Sequence, residues 1–279
     1  MTVKEYFLPE SLDEAVKLRA KHGPAMMVMA GGTIAVSLVN QGLVFPQQVM
    51  GLRRARLNQI SRSNGILSLG ATTTLSQLVN LEAVPLLQEA ARHTAGWSVR
   101  NMGTVGGNLF ARFPYGDMGV ALLALEAQAK LVSPAGMRLV PLTEFYTGPH
   151  ANVVAADELL AGLHLPMPQG QTIYLKFGRK QFNTPAVVTV AAQLSLNEGR
   201  VTAARLALGA AGPYPFRSAQ AEAALIGGPL NPETIAAAAA AAMADSQPIT
   251  DAVASAAYRQ RMVGVMVRRA LTQLAEQER

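Results

Sequence analysis

The sequence predicts a mixed α/β (α+β) chain built in two units, and three observations carry that expectation. Short apolar runs such as "AMMVMAGGT" (25–33) end in glycines and lead into helical stretches, the order strand, glycine loop, helix. Proline and glycine concentrate in "PMPQGQ" (166–171), the strongest boundary signal in the chain. Beyond it, three strand-like runs come first and helical sequence follows to the end. The expected division is therefore residues 1–168 and 169–279.

Taken in order, "SLDEAVKLRAKHG" (11–23) places Ser11 or Asp13 at a helix start and Gly23 just past its end, with Leu12 and Val16 on one side. After the 30–33 loop, "AVSLVNQG" reads as a helix closed by Gly42. Alternation over 66–69 predicts a strand, and the threonines at 72–74 are placed to cap a helix carrying Leu75, Leu78 and Val79. A helical pattern over 86–95 precedes "RNMGTVGGNLF" (100–110), which reads as a loop, and "DMGVALLALEA" follows as an apolar helix. "AKLVSP" and "MRLVPL" flank Ala135-Gly136 as a hairpin, and "LLAGLHLP" is one more strand.

In the second unit "TIYLKFGRK", "AVVTVAAQLSLN" and "RVTAARLALGA" read as strands, with a turn at 197–199. Helices are expected in "FRSAQAEAALIGG" and in the polyalanine after Asn231-Pro232-Glu233, a proline-at-N1 start. The remaining stretch from Thr250 is also expected to be helical. There Val263, Val267, Ala270 and Leu274 form an apolar seam for packing.

Composition removes several function classes. The net charge is +6, yet charged residues make up only 15% of 279 residues and no basic block runs through an aromatic segment, which argues against nucleic acid as a partner. With no cysteine, disulfides, thiolate catalysis and cysteine-ligated zinc or iron–sulfur clusters are excluded within this chain. The four histidines lack an i, i+4 pairing, so no metal site is expected. No apolar run reaches the ~18 residues needed to span a membrane, and the N-terminal stretch lacks a signal-peptide pattern. The chain reads as soluble and cytoplasmic.

Two glycine segments hold the chemistry. "MAGGT" (29–33) and "TVGGN" (104–108) each set a double glycine beside a threonine or asparagine. Glycine is kept where φ must be positive or where something approaches the backbone closely, so a tight turn and a cradle of backbone N–H groups for a diphosphate both account for them. Neither matches the G-x-G-x-x-G or G-x-x-x-x-G-K-[ST] spacing of the common nucleotide folds. Asp117 reads as a helix cap, Arg100 as a surface residue, and Trp97 as a packing residue with a lesser claim on flavin or partner contact.

The chain resembles the FAD-binding medium subunits of the xanthine dehydrogenase and carbon monoxide dehydrogenase family, the molybdenum hydroxylases. The resemblance rests on "AGGT" (30–33), "VRNMGTVGGNLF" (99–110), "GDMGVALLALEA" (116–127), "LTEFYTGPH" (142–150), "YLKFGRK", "AVVTVAAQL", "AEAALIG" and "AYRQRMVGVMVRRAL", and spans essentially the whole chain. It implies a two-lobed FAD domain of the vanillyl-alcohol-oxidase type, then a smaller domain with a three-stranded antiparallel sheet and helices. By position it implies that Ala30, Gly31, Gly32 and Thr33, with Thr104, Gly106, Gly107 and Asn108, supply donors to the FAD diphosphate, and that Met29, Ile34 and Ala35 also bind the cofactor. Asp117 would hold ribityl or ribose hydroxyls, Leu160 would pack on the cofactor, and Lys176 would sit near the isoalloxazine. Two departures stand out: Ile34 replaces the aspartate that usually follows "GGT", and "QFNTPA" (181–186) replaces the segment where a further aspartate is expected.

The implied partners are a small subunit with two [2Fe–2S] clusters and a large molybdopterin-binding subunit in a heterotrimer. Electrons would pass through FAD to NAD⁺ or another acceptor. The alternative is a self-contained FAD-dependent oxidoreductase acting directly on a small molecule.

Overall fold

The computed structural model describes residues 3–111, 116–180 and 183–277. Gln181 and Phe182 of the substituted segment lie outside them. The chain opens with β1 (Glu5–Phe7), α1 (Leu12–His22), β2 (Met26–Met29), α2 (Ala35–Asn40) and β3 (Gln48–Gly51). Ser11 caps α1 by accepting the Glu14 N–H, and Gly23 ends it at a positive φ, as the sequence indicates. These strands form a parallel sheet in the order β1-β3-β2, with the last of the three in sequence at its centre. Parallel neighbours need crossovers, which α1 and α2 with their loops provide. Ala15, Val16, Met26 and Met50 make this lobe's small core.

The second lobe contains β4 (Ile60–Ser63), β5 (Ile66–Gly70), α3 (Leu75–Val79), α4 (Pro85–His93), α5 (Trp97–Arg100), α6 (Val105–Leu109) and α7 (Asp117–Ala124). It continues through β6 (Gln128–Ser133), β7 (Gly136–Pro141), α8 (Leu142–Phe145), β8 (Tyr146–Gly148), β9 (Ala151–Asn152) and β10 (Leu159–Pro166). Five of the strands form an antiparallel sheet, β4-β5-β10-β6-β7. Every residue of α7 is buried, which explains a helix apolar on all sides. It is the centre of a core that reaches into the second unit through Tyr174, Ala191 and Ala207.

The remainder holds β11 (Gln171–Gly178), β12 (Ala186–Asn197), β13 (Arg200–Gly209), β14 (Phe216–Arg217), α9 (Ala219–Leu225), α10 (Pro232–Asp245) and α11 (Ala256–Gln277). The three expected strands are present, and the two-residue β14 extends their sheet by one. Asn231 and Thr234 form a capping box at the start of α10. The seam residues Val263, Val267, Ala270 and Leu274 are all fully buried. The last helix starts six residues later than expected, at Ala256, because Asp251 Oδ1 takes the N–H groups of Val253 and Ala254 and holds a turn there.

The stretch expected to be one loop, 100–110, is in part helical. Thr104 accepts the Gly107 N–H and caps α6, so Gly106, Gly107 and Asn108 lie inside a short helix. The glycine at 106 is there for space, since a Cβ would lie 2.6 Å from the Ala71 carbonyl oxygen.

Candidate functional site

The two glycine segments interlock. A Cβ on Gly31 would lie 1.9 Å from the Met102 carbonyl oxygen and 3.1 Å from the Gly103 Cα, so only glycine permits this approach of one loop to the other. Gly32 adopts φ +72°, a left-handed conformation, and Thr33 Oγ1 reaches toward Gly103. Met29, at the end of β2, delivers the loop, and α2 leaves it from Ile34 and Ala35. Among the described residues, the backbone N–H groups of Gly31, Gly32, Thr33 and Ile34 make no hydrogen bond. Four consecutive donors, on three half-exposed residues and one exposed one, are a site an anion would satisfy.

Thr104 stands beside Thr74 in a two-fold-like arrangement. The two residues form an antiparallel bridge, Leu75 N–H donates to the Gly103 carbonyl, and Val105 N–H donates to the Thr73 carbonyl, each at 2.9 Å. Each threonine also caps its own helix, α3 or α6. Asn108 does structural work as well: its Oδ1 accepts the Met118 N–H at 2.9 Å and ties α6 to the first turn of α7.

Asp117 and Lys176 meet across the two units. Lys176 Nζ lies 2.7 Å from Asp117 Oδ2 and 3.0 Å from the His93 carbonyl oxygen, with the side chains 6% and 7% exposed. Burial pushes the Asp117 carboxyl above its ordinary range, and the Lys176 ammonium opposes that shift. The Tyr174 hydroxyl lies close to the carboxylate without completing a hydrogen bond to it. Burial, with the Asp117 charge, holds the Tyr174 phenol well above its usual value. The helix start at Asp117 is capped by other means, since Gly116 takes the N-cap position at φ +101°.

A cleft of about 280 Å³ opens beside Asp117. Leu38 of α2 and Leu109, Phe110 and Ala111 at the end of α6 line one side; Tyr146, His150 and Asn152 around the β8–β9 hairpin line another. The C-terminal unit closes it with Thr189, Gly209 and the 210–215 segment, where Pro213 and Tyr214 lie. Tyr146 and Tyr214 stack with ring centroids 5.9 Å apart, and Phe145 meets Tyr146 edge-on at 5.1 Å. Burial raises the Tyr146 phenol above its ordinary value. Sequence reasoning missed Tyr146, Tyr214 and Thr189 as cleft residues; the only available signal was the "YTGP" inside the resembling segment 142–150.

Other expected residues fall elsewhere. Leu160 is 6% exposed, pairs with Leu131 in the sheet and packs in the core with Val105 and Leu109 rather than in the cleft. Arg100 braces the end of α4 by donating to the carbonyls of Arg92 at 3.1 Å and Ala95 at 2.7 Å. Trp97, read as a packing residue, is instead 73% exposed, because it begins a four-residue helix that buries no residue. Ile34, in place of the usual aspartate, is exposed at the start of α2.

Residues 2–168 match the family described as the FAD binding domain in molybdopterin dehydrogenase, and residues 173–274 match the CO dehydrogenase flavoprotein C-terminal domain. The chain is 30% identical to the glyceraldehyde dehydrogenase medium chain of Sulfolobus acidocaldarius, over 97% of this chain and 98% of that one. It is 28% identical to the carbon monoxide dehydrogenase medium chain of Afipia carboxidovorans, over 96% and 95%. Among solved structures, a chain of the carbon monoxide dehydrogenase from Hydrogenophaga pseudoflava superposes with a TM-score of 0.93 at 31% identity, covering 97% of this chain and 96% of that one. The unclaimed donors at 31–34 suit the diphosphate of FAD, the cofactor named for the matched N-terminal domain. The chain belongs to the molybdenum hydroxylase family of xanthine and carbon monoxide dehydrogenases, as an FAD-binding medium subunit of these oxidoreductases.

Proposed function

We propose that this chain carries electrons for a three-subunit molybdenum hydroxylase, with FAD lying across the interlocked loops and into the cleft beside Asp117. Met29 to Ala35 would hold one end of the diphosphate, and Thr104 and Asn108 the other, with Gly106 and Gly107, whose N–H groups go to Ala71 and Thr104, leaving room for it. The observation that carries this reading is the row of unclaimed N–H groups at Gly31 to Ile34, set against the second loop. A cleft of about 280 Å³ is small for a whole dinucleotide, since ligand pockets run from about 300 Å³ upward, so it suits one part of the cofactor.

When bound, FAD would supply the redox chemistry of this chain, linking the [2Fe–2S] clusters of a small partner subunit to NAD⁺ or another acceptor. The chain's own residues bind and orient. Tyr146, Tyr214 and the prolines beside Tyr214 give the cleft apolar walls that limit water, and Asp117 is its acidic lining residue. The hydroxylation itself belongs to a large molybdopterin-binding subunit, and the clusters to the small one, since this chain has no cysteine to hold them. We place the domain boundary at 168/169, and the complex in the cytoplasm. Among the described residues no helix is long and apolar enough to cross a membrane.

The test is an absorption spectrum of the purified chain after incubation with FAD and desalting, with acid release to count the flavin. One FAD per chain is expected. A chain that stays colourless both alone and co-expressed with its two partner subunits overturns the proposal.

A further inference from the structure

Arg259 sits in the segment "AYRQRMVGVMVRRAL", which nothing in the flavin site uses. Its side chain is fully buried on α11, a costly place for a guanidinium that water would otherwise solvate. Its contacts are specific. Nη1 donates to the carbonyls of Ala186 at 3.0 Å, Val187 at 2.7 Å and Ala210 at 3.4 Å, while Nη2 reaches Asp251 Oδ1 at 2.7 Å. Ala186 and Val187 begin β12, and Ala210 follows the last residue of β13, so the Nη1 end of the fork spans the ends of two neighbouring strands, with Ala210 its longest contact, while the Nη2 end holds Asp251.

Those strand ends form a wall of the cleft. Thr189 pairs with Gly209, both line it, and Ala210 itself is a lining residue. Ala210 also adopts φ +55°, a conformation that disfavours any residue with a Cβ. It turns the chain from β13 into the segment that carries Tyr214 to its stack on Tyr146. The next residue is held from the same side, since Gln247 N–H donates to the Ala211 carbonyl at 2.9 Å. The 247–259 region thus grips the wall from beneath at two successive residues.

We propose that Arg259 is a positioning residue for the flavin cleft: it holds Ala210 in its left-handed turn and thereby sets the wall that carries Tyr214. Asp251 anchors the guanidinium from the other end. The inference rests on the reading that FAD enters this cleft. A lysine at 259 keeps a charge but loses the fork, so Ala210 relaxes toward negative φ and the wall shifts.

The experiment titrates FAD onto the full-length chain by flavin fluorescence for wild type, R259K, A210G and the double variant R259K/A210G, with thermal unfolding recorded for each. R259K is expected to raise the FAD dissociation constant about tenfold, the scale of strain that a left-handed non-glycine residue holds. Glycine at 210 accepts that turn without help. A210G alters a lining residue and so serves as its own reference: R259K should cost far less affinity in the A210G background than it does in wild type. A merely structural arginine predicts lower unfolding temperatures with the same effect on affinity in both backgrounds. Affinity unchanged in R259K, or lost as fully in the A210G background, overturns the inference. If R259K does not fold, D251A and D251A/A210G serve the same comparison, with the same expected rise and the same smaller cost in the A210G background. A wild-type chain that binds no FAD counts against the proposed function and takes this inference with it, whereas wild-type binding with R259K unaffected counts against this inference alone.

Discussion

Lys176 Nζ lies 2.7 Å from Asp117 Oδ2, joining β11 of the C-terminal unit to the first turn of α7 in the N-terminal one. The same ammonium donates to the His93 carbonyl at the end of α4, so one buried cation ties three elements. A lysine close to a flavin offers it a positive charge, but here that charge is balanced by a carboxylate at hydrogen-bond distance. The pair leaves little net charge beside the cleft that Asp117 lines, and it fixes a junction between the units.

Breaking one partner leaves the other as an uncompensated buried charge. K176M should therefore lower the unfolding free energy by about 3–5 kcal/mol, and D117N/K176M should lose clearly less than K176M, because no charge is then stranded. Urea unfolding of the four proteins in the cycle measures the coupling. A double variant as unstable as K176M would show that the pair does not act as a unit.

Gly31 is set by the other loop, so G31A is expected to remove flavin binding. The added Cβ would overlap the Met102 carbonyl at 1.9 Å, and backbone rather than a pliable side chain must move. Gly65 is the control: among the described residues a Cβ there meets nothing within 4 Å, and its φ of +75° makes G65A cost only about 1–2 kcal/mol. Desalting after FAD incubation separates the two, with yellow protein expected for G65A and colourless for G31A. Flavin retained by G31A would mean that the loops part more readily than their contact suggests.

Acid should weaken the chain through Glu158. Arg138 binds both carboxylate oxygens, at 2.7 and 2.8 Å, and holds the Glu158 carboxyl below its ordinary value, helped by the Ala155 N–H. A carboxyl lowered on folding binds fewer protons in the native chain than in the unfolded one, so stability rises with pH through that window. The contribution is complete above the unfolded value of 4.5 and is lost as pH falls through the lower folded one. E158Q should already be about 1.5 kcal/mol less stable at neutral pH, the worth of a charge-assisted hydrogen bond. Its melting temperature should also fall less steeply than that of wild type on going from about pH 5 to pH 3. Parallel curves for the two proteins would remove Glu158 as a source of acid sensitivity.

Elements with strong local signals were legible in the sequence. Ser11 and Gly23 bracket α1, Asn231 and Pro232 open α10, and the 263–274 seam is the buried face of α11. The parallel strands β1 and β3 were not, because three or four residues carry no usable periodicity. The α6 helix was hidden by its own glycines, which lower helix propensity but are required for its contact with Ala71. Of the site, both glycine segments and Asp117 could be singled out from residue type and resemblance. The Asp117–Lys176 pairing could not, since 59 residues separate the partners and nothing local marks the contact. Arg259 was visible only as part of a motif, its role depending on strand ends 49 and 73 residues away.

Trp97 offers a direct reading of the loops. It is the single tryptophan, 73% exposed, five residues before Met102, whose carbonyl meets Gly31. W97A should change stability by less than about 0.5 kcal/mol, as expected of a surface side chain with little packing to lose. The free chain should show the red-shifted emission of an indole in water, and FAD bound nearby should quench it by energy transfer, since flavin absorbs where indole emits. Titrating FAD while following that emission then gives occupancy of the loops without any partner subunit. A blue-shifted emission, or a large loss of stability in W97A, would place the ring against protein instead. Emission unchanged while flavin absorption saturates would move the cofactor away from the loops and toward another face of the chain.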